Sequence, residues 1–161
     1  MLDRERYEVW TERAAGRDIT EVISLEEVRP LADTALSMGA KVVLIKCGAP
    51  GIYYKTADEE KLAPVCTQLG LFVDEWAGKE GFERSFVPER ILSGTGAGDT
   101  SIAAFLVSAL EGAGLKEAAQ MATATGASCV AAYDALSGLK PLAELRQKIE
   151  NGWTKNEFAG W

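Results

Sequence analysis

Apolar residues recur at helical spacing in several segments of the chain. The segment after Ser24 carries a one-sided apolar stripe, and Ser24-Leu25-Glu26-Glu27 has the pattern of a capping box, which predicts a helix from Ser24 to Gly39. Residues 99–111 are apolar on nearly every side, as is typical of a helix at the centre of a domain. The pattern predicts further helices at 2–15, 115–132 and 141–151.

Strand-like segments alternate with these helices. Lys41 to Lys46 is a continuous apolar run of strand length, expected where helices cover both faces of a sheet. The chain then turns over residues 47–51, reads as a second strand at 52–55 and looks extended at 82–87. Residues 57–80 are polar and irregular in pattern, and no strand is predicted there. A helix leading into a buried strand is half of a βαβ unit, so one α/β domain is predicted.

Composition and charge narrow the class of protein. The chain has 161 residues, of which 47% are hydrophobic and 25% charged, as in a soluble globular domain. No apolar run approaches the length of a membrane span, and a net charge of −7 argues against nucleic acid as a partner. The cysteines are odd in number and scattered, which favours a reduced, cytoplasmic chain. They are Cys47, Cys66 and Cys129.

The chain contains no histidine. This excludes Ser-His-Asp and Cys-His hydrolases and most zinc sites, because each of these requires an imidazole. A general base in this chain must therefore be a carboxylate, and Asp99 is the best placed.

The run from Gly94 to Thr100, with the sequence GTGAGDT, carries the strongest chemical signal. Alternate glycines allow a tight turn, and the following helix directs its unpaired N–H groups and positive dipole end at the same corner. Such corners bind phosphates. A carboxylate at the rim of an anion site, here Asp99, makes sense if it contacts a hydroxyl that attacks phosphorus. The run therefore predicts phosphoryl transfer.

Other interpretations of this run remain open. Asp99 could cap its own helix, and the glycines could form only a strand-to-helix turn. A dinucleotide oxidoreductase would need G-x-G-x-x-G after the first strand of a βαβ unit, whereas the spacing here is G-x-G-x-G. A P-loop would need Gly-Lys-Ser/Thr, which does not follow.

From about Ser24 to Glu150 the chain resembles the C-terminal half of the PfkB (ribokinase-like) carbohydrate kinases. The resemblance rests on the Gly-Ala-Gly-Asp core of the run, the apolar helix behind it, and the upstream strand and glycine turn at 42–51. It implies a ribokinase-like three-layer α/β/α fold with a mostly parallel sheet. Residues 1–161 would then form a single partial domain, the nucleotide-binding half, without the substrate-binding and lid half.

The resemblance also implies roles for individual residues. Asp99 would be the catalytic base that accepts the proton of a sugar or nucleoside hydroxyl as it attacks the γ-phosphate of ATP. The backbone N–H groups of Gly96, Ala97 and Gly98 would form an anion hole. Lys46, Gly48 and Gly51 would form a loop on the nucleotide side, and Thr123 would lie near the adenine pocket. A tight strand–strand turn is as good an interpretation of Gly48 and Gly51, and helix packing is favoured for Thr123.

The chain departs from the family pattern in ways that bear on cofactors and partners. ATP and Mg²⁺ are implied, yet the family's Asn-x-x-Glu motif for metal and phosphates does not occur here. Ser93-Gly94-Thr95 stands where the family usually has Asp-Thr-Thr, whose Asp often contributes to a monovalent-cation site. A K⁺ site at Ser93 and Thr95 would therefore lack this carboxylate. Half of such a sheet leaves an open edge and an apolar face, so we expect a homo-oligomer or a piece of a longer kinase. A nucleotide-binding fragment without turnover is the alternative function.

Overall fold

The computed structural model describes residues 3–161, and its three β-strands form one sheet in the order β1–β2–β3. The strands are β1 (Val42–Lys46), β2 (Gly51–Thr56) and β3 (Glu80–Arg84). Over the described residues the α-helices are α1 (Arg4–Ala14), α2 (Leu25–Ser37), α3 (Glu59–Leu69), α4 (Val73–Trp76), α5 (Ala97–Leu110), α6 (Leu115–Cys129) and α7 (Leu142–Glu150). A short 3₁₀ helix, Ile19–Glu21, precedes α2.

The sheet separates two apolar cores, because successive side chains of a strand point to opposite faces. Val43 and Tyr53 pack on one face with residues of α1 and α2. Ile52 and Tyr54 pack on the other face with residues of α3 to α6. The three-layer α/β/α arrangement is therefore confirmed.

The expected parallel pairing is wrong for these strands. β1 pairs with β2 and β2 with β3, both antiparallel, with Val42 opposite Thr56 and Gly51 opposite Arg84. The short turn over residues 47–50 joins β1 directly to β2, and a parallel pair needs a crossover of about a dozen residues or more. The apolar run in β1 reflects cover on both faces, which an antiparallel sheet can also have.

The helix predictions are confirmed apart from their ends. α1, α2, α5, α6 and α7 lie within one to three residues of the predicted bounds. Leu2, in the predicted helix at 2–15, lies outside the described residues. At the start of α2 the Glu27 carboxylate accepts the backbone N–H of Ser24 at 3.0 Å, as the capping-box pattern predicts.

The interpretation of residues 57–80 as irregular is wrong, because this segment forms α3 and α4. Asp58 caps α3 by accepting the backbone N–H of Lys61 at 3.0 Å, and Gly70 ends it in the left-handed conformation with φ 70°. Both are sequence signals of helix ends. Leu62 and Cys66, four residues apart, form the buried side of α3.

The segment expected to be extended at 82–87 is β3 followed by a bridge to the C-terminal tail. Phe86 forms an isolated antiparallel bridge with Lys155. Two tail aromatics pack on this region: Trp153 stacks on Phe86 at 4.7 Å between ring centroids, and Trp161 lies 5.4 Å from Phe82.

The domain has an open sheet edge and exposed apolar side chains, as the sequence predicts. Among residues 3–161, β1 lies at an end of the sheet and pairs only with β2. On α5, Leu106 and Leu110 are exposed by 54% and 67%. Self-association through these surfaces stays a prediction. Among residues 3–161, none of the helices has the length and apolar character needed to cross a membrane.

The cysteines are predicted to be unreactive in the folded protein. Cys47, Cys66 and Cys129 are free and no more than 2% exposed. Burial raises the pKa of the Cys47 thiol to about 11 and also raises that of Cys66, so little thiolate exists at pH 8. We expect labelling by a thiol reagent at pH 8 to be at least about 100-fold slower than in urea-unfolded protein. Rapid labelling of the folded chain would contradict this packing.

Candidate active site

The glycine-rich run forms the turn that enters α5. Gly96 is the N-cap of α5 and has the left-handed conformation, with φ 77°, which favours glycine. Asp99 is the third residue of the helix, so the interpretation of Asp99 as the helix cap is wrong. The turn therefore places Asp99 in the first helical turn, beside the unpaired N–H groups of the helix N-terminus.

The backbone hydrogen bonds show which N–H groups can receive a ligand. The N–H of Ala97 donates to the carbonyl of Gly94 at 3.2 Å, and that of Thr100 donates to the carbonyl of Gly96 at 2.9 Å. Within residues 3–161, the N–H groups of Gly96, Gly98 and Asp99 have no backbone acceptor. Of the expected anion hole, Gly96 and Gly98 keep free donors, Ala97 does not, and Asp99 adds one that the sequence interpretation missed.

The Asp99 side chain is exposed. None of the ion pairs formed between residues 3 and 161 includes it. A carboxylate in this setting is accessible to a substrate hydroxyl.

Lys46 lies at the same corner. It is the last residue of β1, and a methyl group placed on Gly98 would lie 2.6 Å from the Lys46 Nζ. The ammonium group therefore lies against Gly98 at the start of α5. Among the described residues Lys46 forms no salt bridge, so its charge is available to an anion. The arrangement combines a cation, backbone donors and a carboxylate at one helix end.

Gly48 and Gly51 have different surroundings. Gly48 is exposed in the β1–β2 turn with φ 65°, and a side chain there would meet the Thr20 hydroxyl at 3.2 Å. Gly51 is buried in β2, where a side chain would run into the backbone carbonyl of Glu83 on β3. The close approach of β2 to β3 leaves no room for a side chain at Gly51, and contact of Gly48 or Gly51 with a nucleotide stays a prediction.

Thr123 is buried in α6, 4% exposed. Its hydroxyl donates to the carbonyl of Gln120 in the same helix at 3.0 Å. These contacts agree with helix packing, the interpretation that the sequence favours.

Ser93 and Thr95 are the residues of the implied K⁺ site, and an oxygen of each accepts a hydrogen bond from the protein. The Ser93 hydroxyl accepts the backbone N–H of Thr95 at 3.1 Å, and the Thr95 carbonyl accepts from the Cys129 thiol at 3.6 Å. Over residues 3–161, no three acidic or cysteine side chains gather as a metal-binding group. K⁺ at Ser93 and Thr95 stays a prediction.

Sequence reasoning did not place residues 130–138, here called the 130–138 loop, next to the site. Its residue Ala135 packs on Gly96, so closely that a side chain on Gly96 would collide with the Ala135 methyl group. Asp134 closes the loop by accepting hydrogen bonds from Leu136 and Ser137. The Asp-x-x-Ser spacing could have indicated the local turn, but nothing in the pattern indicates that it contacts Gly96.

Comparison with known proteins decides the family. The sequence model of the pfkB family carbohydrate kinases matches residues 10–141. The chain belongs to the pfkB family. Its glycine-rich turn, free helix N-terminus and Asp99 all lie within the matched range.

One curated relative, described as an uncharacterized sugar kinase of Archaeoglobus fulgidus, is 27% identical over 125 residues, which are 77% of this chain and 41% of the relative. Solved structures share the ribokinase fold. Arabidopsis thaliana ribokinase, complexed with ribose and ATP, has a TM-score of 0.61 and 22% identity over 78% of this chain and 34% of its own. The nucleoside kinase of Methanocaldococcus jannaschii has a TM-score of 0.58 and 17% identity over 83% of this chain and 42% of its own. The chain thus spans about two fifths of the length of the curated relative that it matches.

Proposed function

We propose that the chain carries the phosphoryl-transfer half of an ATP-dependent kinase acting on a hydroxyl group of a sugar or nucleoside. The observation that carries the proposal is the exposed Asp99 carboxylate at a helix end with free N–H groups on Gly96, Gly98 and Asp99. Membership of the pfkB family supports the reaction class. We propose a cytoplasmic location, as the reduced cysteines suggest.

Asp99 is the general base of this proposal. Its carboxylate accepts the proton of the acceptor hydroxyl while that oxygen bonds to the γ-phosphorus of ATP. The bond from the γ-phosphorus to the oxygen shared with the β-phosphate breaks, and ADP leaves with that electron pair. A positioned base typically increases the rate by about 10²–10⁴-fold.

The free N–H groups and Lys46 meet the negative charge of the transferred group. N–H donors fixed before the reaction stabilise charge without reorganising, and losing one typically costs about 3 kcal/mol of barrier. The Lys46 ammonium beside Gly98 adds a positive charge on the same side. Lys46 and the exposed Gly48 therefore form the nucleotide side of the proposed site.

ATP would enter as its Mg²⁺ complex. The described residues provide no cluster of three ligands for the ion, so the triphosphate itself would hold it. The chain's own contribution is to bind and orient the phosphates and to accept the proton. The K⁺ suggested by the resemblance has no assigned step here.

A nucleotide-binding chain without turnover is the second candidate function. The chain spans about two fifths of its curated relative, which favours this alternative for the isolated polypeptide. The two functions are separated by assaying ATP binding by calorimetry and transfer of the γ-phosphoryl group to a panel of sugars and nucleosides. Binding with transfer supports the kinase, binding alone supports the second function, and absence of both contradicts the proposed site.

Replacement of Lys46 by methionine is expected to weaken ATP binding about 10- to 100-fold, because a charge-assisted bond to phosphate is lost. Titration calorimetry with ATP measures the effect. Lys41→Met is the matched control, since Lys41 lies next to the opposite end of β1. Equal losses in the two variants would show a general effect of charge rather than a site at Lys46.

A further inference from the structure

The 130–138 loop lies against the turn whose free N–H groups form the proposed anion site. Ala135 contacts Gly96 on the side where a side chain would stand: a methyl group on Gly96 would lie 2.9 Å from the Ala135 Cα. The left-handed conformation of Gly96 sets the direction of the chain as it enters α5. Movement of Ala135 would therefore release the turn at the residue that orients the N–H groups.

Asp134 holds the loop in its closed shape. Its Oδ1 accepts the backbone N–H groups of Leu136 at 2.8 Å and Ser137 at 2.7 Å, and its Oδ2 accepts the Ser137 hydroxyl at 2.6 Å. These donors lower the pKa of Asp134 to about 2, with the Ser137 side chain the largest cause. The carboxylate is thus ionised at any pH at which the protein would act.

The loop is also bonded to the end of α6. The Ser128 hydroxyl donates to the carbonyl of Gly138 at 2.5 Å, and a methyl group on Gly138 would lie 2.6 Å from the Ser128 carbonyl oxygen. The buried Cys129 thiol faces the carbonyls of Thr95 at 3.6 Å and Ala135 at 3.5 Å. Helix α6, the loop and the glycine-rich turn therefore meet around Cys129, and the turn that Asp134 bonds follows Ala135 directly in the chain.

We propose that Asp134 is a positioning residue: by closing the 130–138 loop it keeps Ala135 on Gly96 and so fixes the directions of the Gly96 and Gly98 N–H groups. It acts through Ala135 and does not contact the nucleotide. The catalytic consequence rests on the proposed kinase function, whereas the effect on the turn does not. Donors held in advance of the reaction matter most for the rate of the chemical step, so loss of Asp134 should lower kcat more than it raises KM for ATP.

The test compares Asp134→Ala and Asp134→Asn with the control Asp58→Ala. Asparagine keeps an oxygen for the two backbone donors, and Asp58 is another exposed acidic residue that accepts a backbone N–H, at the start of α3. Amide hydrogen exchange is measured at Ala97 and Thr100, whose N–H groups are bonded within the turn. We expect Asp134→Ala to speed exchange there about tenfold or more, and both other variants to leave it within about twofold.

Unchanged exchange in Asp134→Ala, or an equal increase in Asp58→Ala, would overturn the proposal. Kinetics with ATP and an accepted sugar or nucleoside then test the catalytic consequence, with kcat expected to fall about tenfold and to recover in Asp134→Asn. A loosened turn with unchanged kcat would overturn the catalytic role of Asp134. A loosened turn in a chain whose unsubstituted form transfers no phosphoryl group would support the positioning effect and contradict the kinase function.

Discussion

Replacement of Asp99 by asparagine is expected to lower phosphoryl transfer by about 10²–10⁴-fold, the usual contribution of a positioned base. Asparagine has nearly the same shape but accepts no proton at neutral pH. ATP binding should be kept or become slightly tighter, because the change removes a negative charge from the rim of a site for triphosphate. The measurements are transfer of the γ-phosphoryl group to a sugar or nucleoside and calorimetric titration with ATP.

Glu111→Gln is the control for this change, because Glu111 caps the opposite end of the same helix. It should leave both transfer and ATP binding unchanged. Transfer by Asp99→Asn at the unsubstituted rate would refute the assignment of the base. A chain that binds ATP but shows no transfer before substitution would support the second candidate function, and Asp99→Asn would then change binding only.

Replacement of Trp76 by alanine is expected to reduce the free energy of unfolding by about 3–5 kcal/mol, as for other buried aromatic residues. Trp76 is 2% exposed and packs edge-on against Phe105 of α5, with ring centroids 5.7 Å apart. Its indole N–H donates to the Ala113 carbonyl at 3.2 Å. The substitution opens a cavity beneath the helix that carries Asp99 and also leaves this carbonyl without its donor.

Urea unfolding followed by circular dichroism measures this loss. Phe72→Ala is a control in the neighbouring sequence, since Phe72 is 66% exposed and its truncation should change stability by about 0.5 kcal/mol or less. Trp76→Phe keeps much of the packed ring and should cost less than alanine. A loss below about 1 kcal/mol for Trp76→Ala would contradict the packing described for this core.

The elements around the site could be predicted because their signals are local. The apolar periodicity of α5 and the glycines before it indicated a helix entered through a tight turn, and the structure has both. The bonding of individual N–H groups could not be predicted. α5 begins two residues before Asp99, and the bond from Ala97 to Gly94 uses a donor that the pattern counted as free.

The direction of strand pairing could have been predicted from the length of the connection between β1 and β2. Only the short turn at 47–50 separates β1 from β2, which requires a hairpin. The continuous apolar character of β1 favoured a parallel sheet because buried parallel strands have the same composition. The apolar composition of a strand indicates whether both faces of its sheet are covered, but it says little about the direction of the neighbouring strand.

Helix α3 and the contact of the 130–138 loop with the site escaped prediction for different reasons. In α3 only Leu62 and Cys66 are buried, so the apolar signal is weak, although Asp58 and Gly70 mark its ends. In the loop, Asp134 and Ser137 indicate a turn, but the contact of Ala135 with Gly96 joins residues far apart in the chain. A contact of this kind depends on how α5 and α6 pack, which no local pattern records.

Tyr53 and Tyr54 are neighbours in β2, yet they belong to different cores on opposite faces of the sheet. Inserting one residue before Tyr53 within this strand would shift the register and send each ring to the wrong side. Both cores would lose their packing together, although only one position had been added. The packing of both cores therefore constrains the length of β2. A solvent-facing loop, such as the one that follows α1, can change length at little cost in stability.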